Sequence, residues 1–309
     1  LSAPDQATTL NNLEWHVYST TIGGFIQDSW SIMDKVTLNA GVRYDAQHMF
    51  GGDKKLAMSL PNQISPRVGL IFDPTQSGHA KLFVNYARYY QSVPLNLADR
   101  AGSGEPSTAS SHYIDGKAPG SVPPGTAACD PLDKDSTAAC RADEGRRVLG
   151  DSSTPDQLWI LTGAGKVAVD PKLKAPSTDE IVAGGEIEII RDARLGVTYS
   201  HRWMTRTIED MSRDEATTYF IGNPGYGIAR DFPKAQRVYD AVMMYVDKRF
   251  TRNFLANASY TVAFNRGNIA GLFRPETGQL DPNLNSTFDL QSLLVNQYGY
   301  LPGDTRHSV

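Results

Sequence analysis

No run of about 18 or more apolar residues occurs anywhere in the 309-residue sequence, and that excludes a membrane-spanning helix. The opening residues Leu1 to Gln6 offer neither the charged nor the apolar stretch of a secretory signal. Charge of one sign is not in excess: a formal net charge of −4, with 21% charged and 40% hydrophobic residues, fits neither a basic nucleic-acid binder nor a disordered chain. No nucleic-acid partner is expected. Cysteine is scarce, with Cys129 and Cys140 the only two, both inside a stretch rich in Pro, Gly, Ser and Asp. They read as a local disulfide in a surface loop of an oxidising compartment; the alternative is two unrelated free thiols. A metal pair is disfavoured because no histidine or third cysteine stands nearby.

Catalytic and cofactor patterns are also missing. The histidines His16, His48, His79, His112, His201 and His307 are scattered, with no pair at the helical spacing of metal ligands. Gly23-Gly24, Gly51-Gly52 and Gly184-Gly185 are not followed by the Gly-Lys-Ser/Thr of a phosphate loop, and read as strand or turn glycines. The acidic run Asp130-Pro131-Leu132-Asp133-Lys134-Asp135 lacks the glycine and closing glutamate of an EF-hand loop, so a solvated loop is preferred over a Ca²⁺ site. Glu186 and Glu188 share one strand face, and a structural reading is preferred over a general acid/base pair. No active site and no cofactor are expected.

What is present is alternation. From Lys35 to Asp45, Val36, Leu38, Ala40, Val42 and Tyr44 alternate with Thr37, Asn39, Gly41, Arg43 and Asp45. From Phe254 to Phe264, Phe254, Ala256, Ala258, Tyr260, Val262 and Phe264 point one way and Leu255, Asn257, Ser259, Thr261 and Ala263 the other. Period two over about eleven residues suits a tilted strand crossing a bilayer. Further strands are expected at Thr20 to Trp30, Ser65 to Asp73, Lys81 to Tyr90, Thr178 to Ile190, Leu195 to Glu209 and Arg237 to Phe250. Val242, Met243 and Met244 leave the facing of the last one open. Asp304 to Val309 reads as the start of one more strand, cut off there.

The connections alternate in length. Tight ones follow Trp30, Asp73, Ile190 and Phe250. Long ones follow Asp45, Tyr90 and Glu209, and another begins at Asn265. The span from Gln91 to Ser177 is the longest and holds nine prolines between Pro94 and Pro176. An up-and-down antiparallel meander with every long connection at one edge is expected of a transmembrane β-barrel with short periplasmic turns and long outer loops. A soluble sandwich has no reason to sort its loops by edge. The fold expected is therefore all-β, a partial barrel of roughly eight or nine strands. Val36, Leu38, Val42, Tyr44, Phe254, Tyr260, Val262 and Phe264 would face lipid, and Arg43, Asp45, Glu186 and Glu188 the lumen. Aromatics near strand ends, such as Trp30, Tyr89, Trp203 and Phe250, suit interfacial girdles.

Several segments, in this order, resemble TonB-dependent outer-membrane receptors, and among them the Oar-like group. They are Gly24-Phe25-Ile26-Gln27-Asp28-Ser29-Trp30, Leu38-Asn39-Ala40-Gly41-Val42-Arg43-Tyr44-Asp45, Ser65-Pro66-Arg67-Val68-Gly69-Leu70, Val84 to Pro94, Asp179 to Gly185 and Leu301 to His307. The resemblance implies a larger barrel of about 22 strands with a plug inside it, and a TonB-contacting segment outside this chain. All of 1–309 would then be barrel, with 91–177 an extracellular loop. Outer-membrane lipid, the TonB complex (through parts absent here) and an unidentified extracellular ligand would be its partners in a Gram-negative cell. Two other readings stay open at this point. One is a surface adhesion or export-partner protein that uses the barrel as an anchor, and the other is a soluble extracellular β-sandwich.

Overall fold

The computed structural model describes residues 16–52, 54–102, 107–111, 158–162, 167–214, 219–251, 253–271, 288 and 290–309. Its main feature is one antiparallel sheet. Strands β1 (Tyr18–Ile32), β2 (Val36–Phe50), β3 (Leu56–Phe72) and β4 (Ala80–Tyr90) are followed in space by β8 (Ser177–Ile190), β9 (Ala193–Arg206), β12 (Arg237–Thr251) and β13 (Phe254–Gly267). Two short strands, β14 (Gly299–Tyr300) and β15 (His307–Ser308), both pair with β13. Among the described residues the sheet has two edges and does not close. The greater part of each expected strand lies in this sheet, and within Asp304 to Val309, expected as the start of a further strand, His307–Ser308 pairs with β13.

The tight connections have the local chemistry of hairpins. Met33 and Asp34 both take left-handed φ, at 52° and 53°, and Lys35 N–H donates to the Ile32 carbonyl at 3.2 Å. Two consecutive left-handed residues match the right-handed twist of the strands they join. Asp192 and Asn253 take the same region, both at 66°. In the β3–β4 turn, Asp73 accepts from the backbone N–H groups of Thr75, Gln76 and Gly78. These bonds, led by the Thr75 hydroxyl, hold its carboxyl below the ordinary carboxylate value.

Two regions depart from the expected strands. The second strand was expected to end at Asp45 and the third to begin at Ser65, yet the hairpin runs on to Phe50 and Leu56. A bulge near Asn62, whose φ is +62°, shifts the register between Asp45 and Gln47 and so interrupts the alternation. Beyond it, the face carrying Arg43 and Asp45 presents Met49, Met58 and Leu60, which are buried under helix α1 (Leu95–Gly102). That helix presents Leu97, Ala98 and Ala101 on one side. The Gln47 amide fastens it by donating to the Val93 carbonyl at 2.8 Å and accepting from its N–H at 3.0 Å. The other difference is in the expected strand from Leu195 to Glu209, which breaks after Arg206. Its last part, β10 (Glu209–Met211), joins a second sheet with β11 (Phe220–Gly222) and β7 (Ala168–Val169).

Buried apolar clusters sit at the end of the sheet where the long connections lie. One joins Met49, Leu60, Leu97, Leu173, Ile208 and Ile221, and the other Met211, Phe220, Ala229, Phe232, Ile269 and Phe288. Each fully buried Leu, Ile, Met or Phe there stabilises the loops by about 1.5–3 kcal/mol. Asn223 ties the parts together, accepting from Lys174 N–H and donating to the Lys174 and Thr207 carbonyls. The span from Gln91 to Ser177 thus contains α1 and β7, and also a hairpin of β5 (Ser107–Ser111) and β6 (Leu158–Thr162) in a separate compact unit. Cys129 and Cys140 lie outside the described residues.

Candidate functional site

The site is the sheet itself, because its two faces differ in chemistry from edge to edge. Paired neighbours across eight strands share a face, and one such row runs Trp30, Leu38, Leu70, Val84, Ala183, Tyr199, Val242 and Val262. The opposite face carries Gln27, Gly41, Arg67, Ala87, Glu180, Arg202, Tyr239 and Asn265 in a parallel row. Val36, Leu38, Val42, Tyr44, Phe254, Tyr260, Val262 and Phe264 all have the first parity, and Arg43, Asp45, Glu186 and Glu188 the second. The register also settles the Met pair. Met244 lies on the apolar face, and Met243, opposite Thr198 and Thr261, on the polar one.

The apolar face is uncovered. Ile26, Val42, Tyr44, Val68, Leu70, Leu82, Val84, Val197, Tyr199, Met244 and Tyr260 are all exposed. A contiguous apolar surface spread over eight strands exceeds what a water-soluble monomer shows. Polar groups interrupt it: Asp28, paired with Ala40 near the short-turn end, and two clusters toward the long-connection end. There Asp240 accepts from the Tyr199 hydroxyl at 2.8 Å and lies 2.7 Å from His201 Nδ1 and 3.3 Å from Arg266. Arg88 also forms a two-pronged pair with Asp179, at 2.6 and 2.7 Å.

The polar face is a lattice of paired charges. Arg43 grips Asp45 with two bonds of 2.6 and 2.8 Å. Glu186 meets Lys81 at 3.0 Å, lies 3.9 Å from Arg194 and accepts from the Tyr245 hydroxyl. Glu188 meets His79 at 2.5 Å and accepts from Asp192 N–H at 3.0 Å. Arg202 donates to Glu180 at 2.8 Å. Glycine makes room for this layer: a Cβ on Gly196 would stand 2.2 Å from the Tyr245 ring, and one on Gly184 2.7 Å from the Phe83 ring. An aromatic ring lying over a cross-strand glycine pins the register. Glu186 and Glu188 are therefore members of a salt-bridged wall, with no geometry of a paired acid and base.

At the long-connection end of this face a cavity of about 700 Å³ is lined by Thr178, Arg202, Arg237, Tyr239, Asn265 and their neighbours. Sequence reasoning passed over these residues. The signal available was parity, since Arg202 and Arg237 fall on the polar-face positions of their strands.

An uneven pair of faces, an up-and-down meander and loops gathered at one end define a segment of a β-barrel wall. Residues 2–128 match the family model "TonB dependent receptor-like, beta-barrel". The whole chain is 48% identical, over 311 aligned residues, to the "TonB-dependent transporter Oar" of Myxococcus xanthus, and spans 29% of that protein's length. The chain is a homologue of the barrel of TonB-dependent receptors, within the Oar-like group. In solved structures it is similar to the FrpB iron transporter of Neisseria meningitidis (12% identity, 82% of this chain and 27% of that one, TM-score 0.48). It is also similar to the ferric-catecholate import receptor Fiu of E. coli K12 (12% identity, 87% and 30%, TM-score 0.45).

Proposed function

We propose that this chain forms part of the wall of an outer-membrane barrel whose parent protein takes up an extracellular ligand with energy delivered through TonB. The apolar face, with Val36, Leu38, Val42, Tyr44, Phe254, Tyr260, Val262 and Phe264, meets lipid. The polar face, with Arg43, Asp45, Glu186 and Glu188, lines the lumen. The observation that carries the reading is the unbroken apolar row from Trp30 to Val262, since an arginine or lysine on a lipid-facing surface costs about 2–4 kcal/mol at the midplane. The loop clusters built on α1, β7, β10 and β11 form the outer, ligand-contacting end, as loops on a rigid scaffold commonly do. Cys129 and Cys140 pair within the span 91–177. The plug and the TonB-contacting segment belong to parts of the parent outside this chain.

Membrane fractionation of the parent protein tests this. The expected result is an outer-membrane protein resistant to carbonate extraction, which cross-links to TonB in cells and loses that cross-link when the TonB-contacting segment is deleted. Release into buffer without detergent would overturn the barrel reading. Persistence of function in a strain without TonB would overturn the uptake reading and leave the anchor reading in its place.

A further inference from the structure

We infer that the cavity around Arg237 binds an oxyanion, a carboxylate or phosphate borne by the ligand. The inference rests on the receptor reading above, since it takes the polar face to line the ligand's path. Arg237 is the first residue of β12. Its Nη1 donates to the Ala270 carbonyl at 2.6 Å, and its Nε reaches the Asn265 side-chain oxygen only at 3.4 Å. No carboxylate lies within ion-pair distance of it among the described residues, and Nη2 has no partner there. On the same face, Arg43, Arg194 and Arg202 each have a carboxylate within 4.0 Å. Arg67 on that face also has no carboxylate within that distance among the described residues and lies over the Tyr89 ring instead; Arg237 differs from it in lining the cavity beside a second guanidinium.

Its surroundings add a second cation. Arg202 is register-paired with Tyr239, so Arg237, two residues along, is its diagonal neighbour on that face, with backbones about 7–8 Å apart. Glu180 neutralises Arg202 from one side. Asp304 lines the cavity too, but one of its oxygens accepts from Asn265 N–H at 2.7 Å and the other from Arg306 at 2.7 Å. The cavity thus holds one guanidinium charge beyond its carboxylates, together with the Tyr239 and Thr178 hydroxyls and the Gln91 amide. A guanidinium edge flanked by neutral donors recognises planar or tetrahedral oxyanions through charge-assisted hydrogen bonds. Gly271 lies beside Nη1, and its φ of +120° is a conformation that favours glycine.

Calorimetric titration of the full-length parent in detergent tests this, with citrate and inorganic phosphate as probes and sucrose as the uncharged control. Citrate or phosphate is expected to bind saturably and more weakly as salt rises, and the preferred anion tells carboxylate from phosphate. Arg237→Gln keeps hydrogen-bonding capacity without charge and is expected to weaken binding at least about tenfold, with Arg237→Lys in between. Arg43→Gln, outside the cavity, is expected to bind as the unaltered protein does. Binding unchanged in Arg237→Gln, or no saturable binding of either anion to the unaltered protein, would overturn the inference. If that happens while the protein fractionates as a TonB-linked outer-membrane receptor, only the anion site fails; a soluble parent would remove the receptor reading itself.

Discussion

Val42→Arg is the sharpest perturbation of the proposed facing. Val42 lies six residues beyond Val36, where β2 begins. At about 3.4 Å per residue and a tilt near 40°, that places it about 16 Å above the short-turn end of an apolar band about 25 Å tall. Its paired neighbours are Ile26 and Pro66, so an arginine there meets no carboxylate on its row. Near the midplane such a side chain destabilises an outer-membrane barrel by about 2–4 kcal/mol, a factor of about 30 to 1000 in the folding equilibrium. Tyr44, one step higher at about 21 Å, approaches the interface, and Tyr44→Arg should be much milder, at about 0–1 kcal/mol. Arg43→Val on the opposite face loses only its exposed pair with Asp45, and exposed pairs contribute little. Guanidinium unfolding of the parent reconstituted in liposomes, followed by tryptophan fluorescence, reads all three. Equal destabilisation by Val42→Arg and Arg43→Val would refute the argument.

Three further outcomes are expected. Gly196→Val places a side chain where the Tyr245 ring lies and should lower stability by about 1–3 kcal/mol; the same unfolding assay checks it, and a neutral result would remove the ring-over-glycine account. Leu97→Ala empties a fully buried position on the inward side of α1 and should cost about 2–5 kcal/mol, concentrated in the loop end, so limited proteolysis there should accelerate while the sheet stays resistant. The hydrogen bond from Arg306, followed by that from Asn265 N–H, holds Asp304 below its ordinary value of 3.8. A depressed folded-state value gives stabilisation that is complete above the unfolded value and is lost as pH falls through the folded one. Hydrogen exchange of the Asn265 amide should thus be slower than in Asp304→Asn at neutral pH, with the gap closing only below about pH 4.

How much of this was legible in the sequence follows from which physical rule governs each part. The eight long strands were readable because one face of each contacts a single kind of environment, which imposes period two on Val36 to Tyr44 and on Phe254 to Phe264. The tight turns were readable because their residues must adopt left-handed φ or cap their own backbone, as Asp34, Asp73 and Asn253 do. The hairpin beyond Asp45 was not, because a bulge at Asn62 shifts the register and α1 then covers Met49 and Met58 on the formerly polar face. The loop sheet of β7, β10 and β11 depends on contacts distant in sequence, such as Ile221 against Val169, which local alternation does not encode. Arg43 with Asp45 was visible as polar parity. The isolation of Arg237 was not, since it depends on which carboxylates other strands bring near.

The proposed facing sets one side of the sheet against lipid and the other against an aqueous lumen. Single cysteines placed at successive positions from Asn257 to Phe264, in the reconstituted parent and spin-labelled, measure this residue by residue. Period two is expected: Ala258, Tyr260, Val262 and Phe264 exposed to dissolved oxygen in the bilayer, and Asn257, Ser259 and Thr261 exposed to a water-borne nickel chelate. Equal access of the chelate to both sets, or no alternation, would contradict it.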